Sequence, residues 1–255
     1  MISLGIDASG QVAAVAIVRD SELLAEFHLK LGQTHSETLL PACVSLLKQC
    51  GLSMEEIDLI GISKGPGSFT GLRIAAATGK GLALSRQIPV LGISTLEMIK
   101  ENLSFMPEPI HVLLDARRGQ VYTASYQGRQ CINKERACSL EELLDYASNL
   151  PGKQIFMGDG AVRFKEDILR TIGAENVIFP NAGSILQRAS SLAFLTEEKW
   201  LSGEREAFRL EYLRKPQAER QKEAGELRDF QVIEEKDTEA IGKTEDRLSA
   251  KNYPI

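Results

Sequence analysis

The strongest constraint on the fold of this chain is that its predicted secondary structure repeats one order of elements twice. Apolar alternation and turn residues predict three consecutive strands at 2–7, 12–18 and 23–29, and helices then alternate with short buried strands up to about residue 103. The same order, βββαβαβα, returns between residues 111 and 200. Strands that alternate with helices favour a largely parallel sheet covered by helices, so we expect two similar α/β lobes in tandem.

A short sequence similarity supports this duplication. Residues 6–12 read IDASGQV and residues 114–121 read LDARRGQV, with one residue inserted. Asp7 and Asp115 are therefore expected at equivalent strand ends. Tandem lobes of this kind resemble those of actin, sugar kinases and Hsp70. The predicted fold class is α/β, with two ribonuclease H-like lobes of the actin-like ATPase (ASKHA) type.

The expected organisation is an N-terminal lobe at 1–106, a C-terminal lobe at 107–215 and a tail at 216–255. The tail is rich in Glu, Lys, Arg, Asp and Gln and has few large apolar residues. Such a segment buries too little surface to offset its chain entropy, so it is predicted to be flexible.

Composition limits the class of function. The chain has 255 residues, of which 43% are hydrophobic, and a net charge of -5. A protein that holds nucleic acid by itself is usually basic, so any role with RNA is expected to depend on another subunit. Without a leader pattern or a membrane-length apolar run, the predicted location is the cytoplasm, with no membrane partner. The four cysteines match no zinc-binding spacing and are expected to be free, buried thiols.

A glycine-rich turn precedes the helix predicted at 68–86. Residues 65–71 read GPGSFTG, which is neither a P-loop nor a dinucleotide fingerprint. Free backbone N–H groups at such a turn suit a phosphate. The hydroxyl of Ser68 equally suits a helix N-cap, and both interpretations stay open.

The same helix carries small residues every fourth position. Gly71, Ala75, Gly79 and Ala83 share one face, although glycine inside a helix costs about 0.5–1 kcal/mol relative to alanine. Another backbone is therefore expected to approach this face closely. It belongs either to the protein's own sheet or neighbouring helix, or to a second subunit that packs here and on the helix predicted at 34–50.

Two longer motifs resemble the signature of the bacterial TsaB (YeaZ) family: KGPGSFTGLRIA at 64–75 and DARRGQVY at 115–122. Shorter matches lie at 6–9, 35–41 and, further along, at 158–161 and 212–214, so the resemblance covers residues 1 to about 215. It implies a non-catalytic partner subunit of the larger TsaD-type paralogue. That paralogue transfers the threonylcarbamoyl group to form N6-threonylcarbamoyladenosine in tRNAs that read codons beginning with A.

The resemblance also implies partners. A TsaE-type ATPase would join the larger complex, tRNA would be met only through that complex, and the chain alone would form a homodimer through the surface that binds the paralogue. The helices at 34–50 and 68–86 would form this surface. The implied interface residues are His35, Leu39, Cys43, Gly71, Ala75, Gly79 and Ala83.

Catalysis by the chain itself is not expected. The TsaD-type paralogue holds a metal through an HxxxH pair, and Thr95 and Ile99 stand at about those positions here. The three histidines, His28, His35 and His111, lie at no metal-ligand spacing. The prediction is therefore no catalytic residue and no metal site.

Nucleotide binding is expected to be weak. Phosphate loops of this fold usually contain Asp-x-Gly, and Ala8 occupies the glycine position here. The candidates for weak binding of ATP or ADP are Asp7, Ser9, Asp115 and Arg117, and no cofactor is expected to be required. The same polar groups alternatively cap strand ends and steady hairpins. The competing function is a weak ATPase or small-molecule kinase that uses the interlobe cleft.

Overall fold

A computed structural model describes residues 1–30 and 34–214 of the chain. Its strands form two sheets of five strands each. The predicted charged tail at 216–255 lies outside the described residues.

The first sheet has the order β3-β2-β1-β4-β5. Its strands are β1 (Ile2–Asp7), β2 (Ala13–Arg19), β3 (Glu22–Leu29), β4 (Leu59–Gly65) and β5 (Val90–Ser94). The first three are antiparallel neighbours, whereas β1, β4 and β5 run parallel. The helices of this half are α1 (His35–Gln49), α2 (Phe69–Leu84) and α3 (Thr95–Glu101). α1 and α2 pack side by side on one face of the sheet.

The second sheet repeats this arrangement. Its strands are β6 (Ile110–Asp115), β7 (Gln120–Gln127), β8 (Gln130–Ser139), β9 (Gln154–Met157) and β10 (Val177–Ile178). Their order, β10-β9-β6-β7-β8, puts β6 in the central place that β1 holds in the first sheet. The helices are α4 (Leu140–Ser148), α5 (Asp159–Arg163), α6 (Lys165–Ile172) and α7 (Ala189–Leu201). The predicted tandem α/β fold is confirmed.

Two helices of the second half differ from the prediction. The single helix expected at 161–172 is divided into α5 and α6 at Phe164. The last helix was expected from residue 182 but begins at Ala189. The amide of Asn102 donates to the carbonyl oxygens of Ser184 and Leu186 at 2.9 and 2.8 Å, so these carbonyls are held outside a helix.

The two halves exchange helices. α7, from the second half of the sequence, covers the face of the first sheet opposite α1 and α2. Glycines allow this approach: a Cβ at Gly5 would overlap the carbonyl oxygen of Ala189, and one at Gly61 would overlap the side chain of Thr196. α3, from the first half, packs Leu96 into the core of the second sheet.

The expectation of buried thiols is correct for only two of the four cysteines. Cys43 and Cys138 are buried, Cys50 is half-buried and Cys131 is exposed, and none forms a disulfide. No helix in the described part of the chain combines the length and apolar character needed to cross a membrane.

Candidate functional site

Asp7 ends β1 at the carboxyl edge of the first sheet and is fully buried. Its Oδ1 accepts a hydrogen bond of 3.1 Å from the backbone N–H of Ser9. Its Oδ2 and the buried hydroxyls of Ser9 and Ser63 have no partner in hydrogen-bond geometry among the described residues. Burial raises the pKa of Asp7, against the effect of the nearby Ser63 and Ser9 hydroxyls, so the environment favours the neutral carboxyl.

The glycine-rich turn packs directly on the hairpin after Asp7. The N–H of Ser68 donates to the carbonyl oxygen of Ser9 at 2.7 Å. A Cβ at Gly67 would overlap that same oxygen, and one at Gly71 would overlap the carbonyl oxygen of Ala8. The Oγ of Ser68 accepts from the N–H of Gly71 at 3.2 Å, which confirms the N-cap interpretation of this serine.

Two further side chains enclose this hairpin. Nε2 of His35 lies 3.0 Å from the carbonyl oxygen of Gly10, and the side chain of Gln187 fills the space above Gly10. Asp7 and Ser9 are 0% and 2% exposed, so in this conformation they present no surface to a nucleotide. Their role in nucleotide binding stays a prediction.

Asp115 ends β6 at the equivalent place in the second sheet, but it is only partly buried. Its Oδ1 accepts from the N–H of Arg117 at 2.8 Å, and its Oδ2 pairs with the guanidinium of Arg163. Its own N–H donates to Asp159 at 3.0 Å. Asp159 is exposed at its surface, but neighbouring atoms partly desolvate its carboxyl, and this desolvation together with the charge of Asp115 raises its pKa.

The hairpin after Asp115 reaches into solvent. Arg117, Arg118 and Gly119 are exposed and adopt left-handed φ angles of 67, 54 and 71°. Hydrogen bonds from Ala116 N to Gln120 O and from Gln120 N to Arg117 O, at 3.0 and 3.1 Å, close the turn. We call residues 116–120 the arginine hairpin.

A segment that sequence reasoning used only for its similarity connects the two hairpin regions. In this strap, residues 208–214, Glu211 donates its N–H to the carbonyl of Lys64 at 2.8 Å and pairs with the Lys64 ammonium at 2.9 Å. The ring of Tyr212 packs against that of Phe69, with centroids 5.1 Å apart and ring planes tilted by 40°. Arg214 then donates to the carbonyl oxygen of Ala116 at 2.7 Å. Such long-range contacts leave no periodic signal in the sequence.

The predicted interface residues lie mostly inside the protein. Leu39, Cys43, Ala75 and Ala83 belong to the core beneath α1 and α2. Burial raises the pKa of Cys43 to about 12, so this thiol stays protonated.

We call Gly71, Ala75, Gly79 and Ala83 the small-residue stripe of α2. The two glycines of this stripe also face the interior of the protein. A Cβ at Gly79 would overlap Ile62 of β4, and Gly71 abuts Ala8. These six residues therefore pack against the chain itself, and their direct contact with a partner stays a prediction. The small side chains let α2 approach its own sheet, which is the other interpretation that the sequence left open. His35, the seventh, is half-buried against Gly10.

A different face of the two helices is open to solvent. Leu40 and Val44 of α1 are 46% and 56% exposed, and Leu84 of α2 is 79% exposed. Ala77 is also exposed, and Gly81 has no atom within 4 Å of the place a Cβ would occupy. We call Leu40, Val44, Ala77, Gly81 and Leu84 the outer helix face.

The tandem sheets, with an aspartate at the end of each central strand, define a two-lobed protein of the actin-like ATPase class. A family model described as "TsaD: tRNA N6-adenosine threonylcarbamoyltransferase" matches residues 27–239. The tRNA threonylcarbamoyladenosine biosynthesis protein TsaB of Bacillus subtilis is 33% identical over 78% of this chain and 88% of its own length. The solved structure of YeaZ from Pseudomonas aeruginosa superposes with a TM-score of 0.66 at 26% identity, covering 79% of this chain and 92% of that one. The chain belongs to the TsaB (YeaZ) family.

A shorter similarity extends to a second protein type. The tRNA N6-adenosine threonylcarbamoyltransferase of Syntrophus aciditrophicus is 32% identical over 113 residues, which cover 38% of this chain and 33% of that enzyme. Part of this chain therefore resembles part of a transferase that is longer than the chain itself.

Proposed function

We propose that this chain is a non-catalytic partner subunit of a TsaD-type threonylcarbamoyltransferase, acting in the cytoplasm to form threonylcarbamoyladenosine in tRNA. The observation that carries the proposal is the 33% identity, over most of both chains, to a protein named for threonylcarbamoyladenosine biosynthesis. Because the TsaD family model matches residues 27–239 of this chain, a TsaD-type partner would share a related fold with it.

The proposed contact surface is the outer helix face. Leu40, Val44 and Leu84 expose apolar surface, and burying this surface against a partner would stabilise a complex. Gly81 leaves space for another helix to approach α2 closely. A partner of the same fold would bring two equivalent helices, and the four would form a bundle. The same face would pair two copies of this chain when the paralogue is absent, and the TsaE-type ATPase would join the assembled pair.

The surroundings of α3 support a non-catalytic role. In the resemblance to TsaD, the metal-binding histidines fall at Thr95 and Ile99. Thr95 is fully buried, and Ile99 packs into the core beneath the second sheet. Ile99 has no atom that can bind a metal and Thr95 has no imidazole, so the histidine pair of the TsaD type is missing at these positions.

Size-exclusion chromatography with light scattering tests the proposal. The full chain is mixed with the TsaD-type protein of the same organism, and a defined hetero-complex is expected. A Leu40→Glu/Val44→Glu double variant should weaken this complex by about 100-fold or more, because two charges would be buried in an apolar contact.

Leu201→Glu is the matched control. Leu201 is 74% exposed but lies at the end of α7, away from the outer helix face, so this variant should bind like the wild type. A complex that forms equally well with the double variant would show that the partner binds elsewhere. A wild-type chain that remains unchanged in mass with the paralogue would refute the partner role.

A further inference from the structure

The arginine hairpin carries two cations that nothing in the described protein neutralises. Across residues 1–30 and 34–214, the guanidinium groups of Arg117 and Arg118 make no hydrogen bond or ion pair. The neighbouring arginines are engaged: Arg163 pairs with Asp115, and Arg214 binds the carbonyl of Ala116. Exposed guanidinium groups without partners keep all their donors available for an external anion.

The aspartate at the base of the hairpin is already compensated. Both oxygens of Asp115 are occupied, one by the N–H of Arg117 and the other by Arg163. Asp159, which also lies at this edge, is exposed and accepts the N–H of Asp115 at 3.0 Å, so one further carboxylate lies beside the hairpin. The tip of the hairpin therefore carries a net positive charge, in a chain whose total charge is -5.

The backbone here is not one that arginine favours. Arg117 and Arg118 adopt left-handed φ angles of 67 and 54°, where glycine or asparagine is the usual residue. The turn geometry alone would favour glycine or asparagine at these two positions. The arginine side chains therefore indicate a role other than forming the turn. Residues held in unfavourable backbone conformations tend to occur at functional sites.

The shape of the region suits a large anion better than a small one. Gly119 has open space around it, and both arginines project from a turn and not into a pocket. A nucleotide site is normally concave. Gly119 also borders a cavity of about 580 Å³, whose lining includes Glu141, Asp145 and the ion pair of Asp167 with Arg170. Glu141 and Asp145 disfavour a polyanion in this cavity, so the arginines offer it the more favourable contact.

We propose that the arginine hairpin binds phosphate groups of the tRNA backbone when the chain is assembled with its TsaD-type partner. This inference rests on the proposed function and names a direct RNA contact for this subunit. Two arginines supply only part of the affinity, since one or two phosphate contacts are too few to hold tRNA at physiological salt. Arg117 and Arg118 would position the tRNA and would not read its sequence.

The test measures tRNA affinity of the assembled complex over a series of salt concentrations. Arg117→Gln/Arg118→Gln should weaken binding by about three- to tenfold and reduce the slope of log K against log salt by about 1–2, because each arginine neutralises one phosphate. Arg117→Lys/Arg118→Lys retains the charge and should keep most of the slope. Arg19→Gln is the control for the loss of a surface arginine elsewhere, because Arg19 is exposed at the far end of β2. It removes one charge, so the slope change in the double variant is compared with twice the change that this control gives.

Light scattering on the same samples separates the two proposals. If the glutamine variant assembles normally but its salt slope and tRNA affinity equal those of the wild type, the phosphate contact is refuted and the partner role stands. If ATP binding falls in this variant while tRNA binding is unchanged, the arginines serve a nucleotide and the inference is also refuted. If the wild-type chain forms no complex, the proposed function itself fails.

Discussion

The hairpins that follow β1 and β6 occupy equivalent places in the two sheets, but their surroundings are opposite. The first is covered by the glycine-rich turn, by His35 and by Gln187, and its Asp7 is fully buried. The second extends into solvent, and its Asp115 is paired with Arg163. One duplicated motif has thus produced a packed structural element and an exposed charged one. This difference assigns stability to the first hairpin and binding to the second.

The largest expected effect concerns the packing of the first hairpin. In Gly71→Ala, the new Cβ would overlap the carbonyl oxygen of Ala8, which is backbone and cannot turn aside. We expect unfolding in urea to show a loss of about 3 kcal/mol, at the upper end for an overpacked site.

Gly81→Ala is the control on the same helix. Its Cβ would meet no atom within 4 Å, so the variant should gain about 0.5–1 kcal/mol from helix propensity. The comparison fails if both variants have the same stability, because α2 would then tolerate a wider separation from the first hairpin.

The second prediction contrasts the two aspartates. Since burial raises the pKa of Asp7 in the folded state, the folded protein holds this proton more tightly than the unfolded chain does. The stabilising effect of the neutral carboxyl is complete below the unfolded value, near 3.8, and is lost as pH rises through the folded pKa. Asp7→Asn removes the titration and supplies N–H donors for the nearby Ser63 and Ser9 hydroxyls. Its Tm should exceed that of the wild type at neutral pH, with the difference shrinking as pH falls toward 3.8.

Asp115→Asn provides the comparison for this prediction. Asp115 lies in a partly exposed ion pair, whose removal is expected to change stability by less than about 1 kcal/mol. Thermal unfolding of both variants across pH measures the contrast. If the change in Tm at neutral pH, of either sign, is larger for Asp115→Asn than for Asp7→Asn, the view that the first hairpin is the structural one is contradicted.

Local patterns in the sequence predicted the elements of the fold but not their partners across the molecule. The spacing of apolar residues, together with capping residues, indicated α1, α2 and the central strands. The sequence similarity between residues 6–12 and 114–121 placed Asp7 and Asp115 at equivalent strand ends. The exchange of α3 and α7 between the halves was not predicted, because it depends on glycines such as Gly5 and Gly61, whose neighbours are distant in sequence.

The interface prediction shows the same limit. The four-residue spacing from Gly71 to Ala83 correctly indicated a close approach to another backbone. Spacing alone does not say whether that backbone belongs to the same chain, and the structure places Ile62 and Ala8 against the stripe. Exposure, which requires the folded structure, identifies Leu40 and Val44 as the exposed large apolar residues of α1.

The smallest expected effect concerns the strain of the second hairpin. Left-handed geometry costs a non-glycine residue roughly 1–2 kcal/mol, and glycine adds about 0.5–1 kcal/mol of unfolded-state entropy. Arg118→Gly should therefore raise the free energy of unfolding by about 0.5 kcal/mol, measured in urea, while it weakens tRNA binding by the complex. A stable variant with poorer binding would mean that arginine is kept at a structural cost for its charge. A variant that loses stability instead would show that the Arg118 side chain supports the fold, and the division of roles between the two hairpins would then no longer hold.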